Sequence, residues 1–333
     1  MEITKFDSSI KVAVDTGGAN TKYAYYKNNE IQAKSFPTIC QRIKPTDTLI
    51  DGIKVHFAGD DYVFRNSSAQ QLTRNNSKLE INHVIAVYTA IAQCIKELEL
   101  SPHGVYTIDL AINVPLSEFK NKHIKEEYVK QYEHESINIE VDDQNYSFII
   151  NKVRPYFEGQ GALLRDYEEY ESKKQVLILD LGGRNITICL FKSVLTKDGR
   201  EVLQPQNSLS ISDINGLLKY LSKIATELGT SGTKHTIDEI QNYKMRKLLP
   251  LPKNFKEVFD AHIETYLHEL NNKLISYEVN YDITEVVVTG GGAILLKDNI
   301  KDYFENEIPH LRINSKDGQF DNVKGALRHS LSE

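Results

Sequence analysis

Cysteine is scarce and scattered in this sequence: Cys40, Cys94 and Cys189 make an odd set, and none sits in a CxxC or a His/Cys ligand spacing. A disulfide framework and a metal cluster are both poor readings of that pattern, and a reducing cytoplasm fits it. Long apolar runs are missing too. No stretch approaches the ~18 consecutive apolar residues of a membrane span, and the opening MEITKFDSSIKVAVD has no signal-peptide core. Neither end offers the long apolar face of an amphipathic anchor. Basic blocks are absent, and the formal net charge is −6. Sequence-independent DNA binding relies on clustered Lys and Arg to neutralise phosphates, so the expectation is no membrane, no direct nucleic-acid contact, and a cytoplasmic location.

What is present suffices for two domains. The chain has 333 residues, 40% hydrophobic and 26% charged, close to the globular norm. A chain of this length buries roughly three quarters of the surface it exposes when unfolded.

Lys11 to Asp15 (KVAVD) is a short apolar run ending in an acid and followed by Gly17 and Gly18, which predicts a buried strand and a tight turn. Thr21 to Tyr26 resumes β-rich chemistry, with a turn at Asn28–Asn29 and a return over Glu30 to Ala33. A second hairpin is expected from Val55–Ala58 and Tyr62–Phe64 around Gly59-Asp60-Asp61. From Val84 the period becomes helical through Tyr88, Ile91, Ile95 and Leu98, with Asn82 as the expected N-cap. Thr107–Val114 predicts a strand stopped by Pro115, Asn138–Val153 a hairpin around Asp142–Asn145, and Gly161–Tyr170 a helix.

The second half begins alike. Val176–Asp180 (VLILD) predicts a strand, Leu181-Gly182-Gly183-Arg184-Asn185 a turn, and Ile186–Phe191 a second strand. A helix is expected over Ser212–Leu228, a loop-rich stretch over 229–254, and a long amphipathic helix over Phe255–Tyr277. Glu285–Thr289 then predicts a strand running into Gly290-Gly291-Gly292-Ala293 and a helix. A closing helix is expected from Asp321, with Gly325 inside it.

Twice, then, a buried strand delivers an Asp to its end and glycines follow at once. Glycine lets backbone approach a phosphate closely, and consecutive N–H groups in such a turn form an anion nest. Thr16, Asn20, Thr21, Asn185 and Thr187 can bind phosphate oxygens beside it, and Lys22 can neutralise charge or lie beyond the nest. Asp15 and Asp180 would be repelled by phosphate alone, so they make sense with Mg²⁺ between, reached through its waters. The third turn has neither acid nor base; bare glycines before a helix suit flat packing against adenine or ribose as well as phosphate approach. Each turn alone reads as an ordinary strand-end turn. All three in order carry the argument.

Asp15-Thr16-Gly17-Gly18-Ala19-Asn20-Thr21-Lys22 resembles the first phosphate loop of the superfamily of actins, heat-shock chaperones and sugar kinases. Asp180-Leu181-Gly182-Gly183 looks like its second phosphate loop, and Val286-Val287-Val288-Thr289-Gly290-Gly291-Gly292-Ala293 is similar to its adenosine loop. With Asn113-Val114-Pro115-Leu116 and the long helix before VVVTGGGA, the chain resembles most the ParM/StbA type of plasmid-segregating actin. The resemblance runs from about residue 11 to 328 and is thin over 30–82 and 229–254. It implies an actin-like, ribonuclease H-like α/β fold with a nucleotide cleft between two domains: residues 1–172, with a small insertion over about 30–82, and residues 173–333, whose last helix (about 321–331) can pack back on the first. It also implies an Mg²⁺-dependent ATPase, or GTPase, that forms head-to-tail filaments and moves plasmid DNA through a DNA-binding adaptor protein. Asp15, Asp180 and Glu158 would be the catalytic residues; Thr16 to Lys22, Gly182 to Asn185 and Gly290 to Ala293 would hold the nucleotide. The water-positioning residue implied is Glu158, with Gln160 as rival and a plain helix-start acid as the simpler account of Glu158. Arg184-Asn185 stands where relatives commonly have two threonines, and Thr187 where the ParM type often has an acid, which leaves ATP against GTP open.

Four other readings compete, the plainest being a non-catalytic, scaffold-type actin relative, against which Asp15, Asp180 and Glu158 argue. A sugar or small-molecule kinase needs a base such as Asp109 or Asp213, a chaperone needs a peptide-binding domain for which no room remains, and a cell-shape or division actin of the MreB or FtsA kind often carries an amphipathic anchor.

Overall fold

The computed structural model describes residues 9–43, 51–65, 78–133, 135–206, 211–229, 239–241, 244 and 252–332, with 211–215 described by backbone alone. Two units emerge from the contacts: Met1–Arg165 with Asn322–Glu333, and Asp166–Asp321. The sequence places the division after residue 172 and lets the last helix, about 321–331, pack back on the first domain.

The first unit is organised by β1 (Ile10–Thr16), β2 (Asn20–Lys27), β3 (Glu30–Pro37), β4 (Cys40–Arg42), β5 (Ile53–Phe57), β6 (Asp60–Phe64), β7 (Val105–Val114), β8 (Ser136–Val141) and β9 (Gln144–Phe157), in the order β3-β2-β1-β7-β9-β8-β5-β6-β4. β1 to β3 form an antiparallel meander, then β7 joins β1 and β9 joins β7 in parallel. The β2–β3 turn places Asn28 and Asn29 at φ 54° and 63°, the left-handed pair that a two-residue hairpin requires and that Asn tolerates. A parallel step needs a crossover, and the helix Ile81–Glu97 supplies the one into β7. Its run from His83 to Ile95 is buried throughout, as apolar character on every side demands.

The second unit repeats this plan. β10 (Gln175–Leu181), β11 (Asn185–Leu195), β12 (Glu201–Pro205), β14 (Thr284–Thr289) and β15 (Leu311–Ile313) lie in the order β12-β11-β10-β14-β15, with β13 (Ile211–Asn215) also on β11. Antiparallel β10–β11–β12 is followed by parallel β14 and β15. The helix Phe255–Ser276 leads into β14 and buries Val258, Phe259, Ile263, Tyr266, Leu267, Leu270 and Leu274, the face that the periodicity predicts.

Several local expectations are corrected. Glu80, not Asn82, occupies the N-cap, and Asn82 lies in the first turn of Ile81–Glu97. The helix expected from Ser212 begins at Leu217, because Ile211–Asn215 pairs with β11 as a strand. Gly161–Tyr170 is two short helices, Gln160–Arg165 and Tyr167–Tyr170, separated at Asp166. The stretch 30–82 starts as part of the main sheet, since β3 pairs with β2 along its whole length, and β5 continues the sheet through β8. The polar helix Lys122–Tyr132 went unread because it buries only Tyr128 and Tyr132. The loop-rich reading of 229–254 falls mostly outside the described residues.

Candidate functional site

In the first unit β1 ends at Asp15 and Thr16, both buried, and the chain reverses into β2 with Asp15 opposite Lys22 and Thr16 opposite Thr21. The turn closes on the Gly17 N–H donating to the Asp15 carbonyl at 3.0 Å. A β-carbon at Gly17 would lie 2.9 Å from the Asn20 carbonyl oxygen and 3.4 Å from Lys22 Nζ, so this position needs a residue without one. Lys22 therefore folds back over the turn rather than lying beyond it, its Nζ 3.5 Å from Asp15 Oδ2. Thr21 is buried and shares a 2.9 Å hydrogen bond with the Thr38 hydroxyl, while Asn20 is exposed at the tip.

The residue that organises this site is one the sequence reading passed over. Lys78 is 6% exposed, and its ammonium donates to Asp15 Oδ1 at 2.9 Å and to the Asn113 carbonyl at 3.3 Å. Glu158 Oε1 lies 2.9 Å from the same nitrogen. Burial pushes the Asp15 carboxyl up, but Lys78 and then Lys22 outweigh it, and the group is held below the usual carboxylate range. For Lys78, burial acts downward while Asp15 and Glu158 act upward more strongly, so the ammonium stays charged. Nothing in the sequence marks Lys78: a lone Lys between a polar stretch and an apolar helix reads as a solvated side chain.

Glu158 is positioned by backbone. It follows directly on β9, its N–H donating to the Val114 carbonyl at 3.0 Å, and Gly159 comes next at φ +89°, a conformation glycine adopts without strain. The Gly159 N–H donates to Asn322 Oδ1 at 3.0 Å. Helix Gln160–Arg165 then meets the closing helix Asp321–Ser332 backbone to backbone, since a β-carbon at Gly161 would lie 2.0 Å from the Asn322 carbonyl oxygen. The contact explains why a helix-weakening glycine stands at 325. Gln160 is engaged locally, its Oε1 accepting from the Phe157 N–H at 3.3 Å.

In the second unit Asp180 ends β10 with Thr187 opposite it on β11. The Gly182 N–H donates to the Asp180 carbonyl at 3.1 Å, and a β-carbon at Gly182 would lie 2.7 Å from the Asn185 carbonyl oxygen, the same turn as at Gly17. The Gly183 carbonyl accepts from the Leu218 N–H and the Arg184 carbonyl from the Gly216 N–H, seating the turn on the next helix. Arg184 is half-buried, and burial lowers its pKa from the ordinary value. β14 runs parallel to β10 and brings Thr289 level with Asp180. The glycines that follow are unequal. Gly290, at φ +87°, has room for a β-carbon only 2.4 Å from Asp180 Oδ1, and one at Gly292 would lie 2.7 Å from the Leu181 β-carbon. Gly291 alone faces open space, while Ala293 is buried. The expectation gives all of them to the ligand; at Gly290 and Gly292 the missing side chain is also what close packing against β10 requires.

Each unit therefore gathers its own predicted residues: Asp15 through Lys22 with Glu158 in one, Asp180 through Asn185 with Gly290–Ala293 in the other. Asp109 belongs elsewhere. It pairs with Lys11 at the far end of the sheet and accepts from Ser9 Oγ and Asn151 Nδ2. The side chain of Asp213 lies outside the described residues. Among the described residues no three His, Cys, Asp or Glu side chains form a metal cage. Mg²⁺ is commonly held by one or two carboxylates with waters and substrate phosphates, and each unit carries one carboxylate beside its glycine turn, Asp15 in the first and Asp180 in the second. Thr16 Oγ1 and the Asn113 side-chain amide are buried without a hydrogen-bond partner. Buried polar groups are normally satisfied, so this strand end has bonding capacity suited to a polar ligand or its waters.

Comparison with known proteins agrees with the geometry. Residues 13–161 match the family model for the N-terminal domain of actin-like proteins. The chain belongs to the actin-like proteins and has their two-domain α/β fold. Its second half is of the ParM kind, residues 170–329 matching the family model described as plasmid segregation protein ParM, C-terminal. Among solved structures, the apo ParM of psk41 is 17% identical with a TM-score of 0.69, covering 97% of each chain. A 15-stranded ParM filament from Clostridium botulinum is 18% identical with a TM-score of 0.72, covering 98% of this chain and 100% of the other. The archaeal actin homologue Ta0583 in complex with ADP is 14% identical with a TM-score of 0.72, covering 97% and 100%. At these identities the likeness is one of fold. Against curated protein sequences the chain has no match. No helix among the described residues is long and apolar enough to cross a membrane.

Proposed function

We propose that this chain is an Mg²⁺-dependent ATPase that polymerises head to tail and segregates plasmid DNA through a DNA-binding adaptor protein in the cytoplasm. The observation that carries the reading is the repeated turn: Asp15 and Asp180 end equivalent strands of two sheets with the same five-strand order, each followed by a glycine nest. The nest N–H groups take the phosphates, Lys22 neutralises them, and Gly291 offers a flat face to the adenosine. Asp15 and Asp180 would hold Mg²⁺ through its waters, and the ion would supply charge for the terminal phosphates. Glu158 accepts a hydrogen bond from the attacking water and aligns it. The water oxygen bonds to the terminal phosphorus as the bond to the bridging oxygen breaks, leaving ADP and phosphate. Catalysis of this kind is positioning and charge stabilisation. Glu158 is preferred over Gln160 because it stands beside Asp15 on Lys78, while the Gln160 oxygen is engaged by Phe157.

The filament part rests on the kinship with ParM, whose Clostridium botulinum relative is a filament. A heterologous contact that does not close generates such an open polymer. The kinase reading loses its describable base: Asp109 is four strand residues before the level of Asn113, about 13 Å along β7 at the usual rise.

Light scattering with Mg²⁺ and ATP, GTP, ADP or no nucleotide, read alongside phosphate release, tests the reading. A triphosphate-dependent rise that decays as phosphate appears is expected. Flat scattering across a wide protein concentration range would remove the filament, and absent phosphate release would remove the ATPase.

A further inference from the structure

We propose that Lys78 is a positioning residue for hydrolysis, holding the Glu158 carboxylate in register with Asp15; the proposal rests on the ATPase reading above. The argument begins with donors. An ammonium has three N–H groups, and Lys78 has three acceptors around it: Asp15 Oδ1 at 2.9 Å, the Asn113 carbonyl at 3.3 Å and Glu158 Oε1 at 2.9 Å. No donor is left over for a phosphate. Lys22 differs, with a side chain 22% exposed and a looser 3.5 Å approach to Asp15. The two lysines thus divide the work: Lys22 faces the ligand, and Lys78 fixes the carboxylates.

The arrangement also needs a cation. Asp15 and Glu158 have side chains 5% and 15% exposed, and two carboxylates sharing one nitrogen lie within two hydrogen-bond lengths of each other. Like charges so placed repel unless a cation stands between them. Lys78 is anchored at three separate places: the end of β1 through Asp15, the end of β7 through Asn113, and the turn just after β9 through Glu158. A change in any of the three places is passed to Glu158 through one nitrogen.

The test is a double-mutant cycle on the full chain, read by single-turnover hydrolysis and by ATP affinity in Mg²⁺. Lys78→Gln is expected to slow hydrolysis at least about tenfold while ATP affinity stays within about threefold, since positioning acts on the transition state. Lys78→Gln combined with Glu158→Gln should be no slower than Glu158→Gln alone, because residues acting as a unit are not additive. Lys78→Arg keeps charge but replaces a point donor by a planar fork, so partial recovery over Lys78→Gln is expected. If Lys78→Gln does not fold, the cycle is run with Lys78→Arg. Losses that multiply in the double variant, a single variant within twofold of wild type, or a loss confined to ATP affinity would each overturn the proposal. A wild-type protein that binds ATP without hydrolysing it overturns the ATPase reading itself.

Discussion

At the end of β1 the chain turns through Gly17 and Gly18 beside two lysines; at the end of β10 it turns through Gly182 and Gly183 against a third glycine loop. The backbones are equivalent, down to the N–H that closes on the preceding Asp carbonyl and the carbonyl that excludes a β-carbon. The surroundings are not. Asp15 is buried among Lys78, Lys22 and Glu158, a charge cluster that neutralises itself. Asp180 has Thr187 opposite and Gly290 pressed against its carboxylate. One duplicated turn has thus been specialised twice: the first for fixing charge, the second for close approach.

The comparison can be broken most directly at the two acids. Asp180→Ala is expected to reduce phosphate release by about 100-fold or more while unfolding free energy changes by about 1 kcal/mol or less. Asp15→Ala should abolish hydrolysis too, and should also destabilise the fold by about 3 kcal/mol, because it takes a partner from a buried ammonium. Denaturant unfolding of the two variants, side by side with phosphate release, separates them; equal stabilities would mean that the charge cluster is not structural.

The glycine loop offers the next contrast. Gly290→Ala must place a β-carbon at positive φ against Asp180, and a cost of about 2–3 kcal/mol is expected. Gly291→Ala meets nothing within 4 Å. It should leave thermal stability within about 0.5 kcal/mol yet weaken ATP binding, which calorimetry can read. Loss of stability at both positions would show that Gly291, too, serves packing.

Acid titration sharpens the first turn alone. The Asp15 pKa is lowered in the fold, so its contribution is present above the unfolded-state value and is lost as pH falls through the folded one. The stability gap between wild type and Asp15→Asn should hold from neutral pH to about 5 and shrink below about 4, the ordinary Asp range. A gap that is constant to lower pH would place the lysines elsewhere. The smallest effects lie in the hairpins. Asn29→Gly should add a few tenths of a kcal/mol by relieving positive φ in the β2–β3 turn. Gly199→Ala, at φ +80° in the β11–β12 turn, should cost about 1 kcal/mol; chemical denaturation resolves both.

Legible in the chain alone are the two acid-ended strands, the three glycine turns, the long helices on either side and the family. All of these are local: a strand, its terminal Asp and the glycines after it are contiguous, and helical period is read within one segment. Folding decided which glycines face open space, since Gly290, Gly291 and Gly292 are alike until β10 lies beside two of them. It likewise decided that Ser212 begins no helix, because strand pairing with β11 overrides local period, and that Gly161 and Gly325 serve one another across a helix contact. Lys78 is the clearest case. In the chain it stands between a polar stretch and an apolar helix, while its partners Asp15, Asn113 and Glu158 come from at or just beyond three distant strand ends, and only folding brings a buried cation and two largely buried carboxylates to the same point.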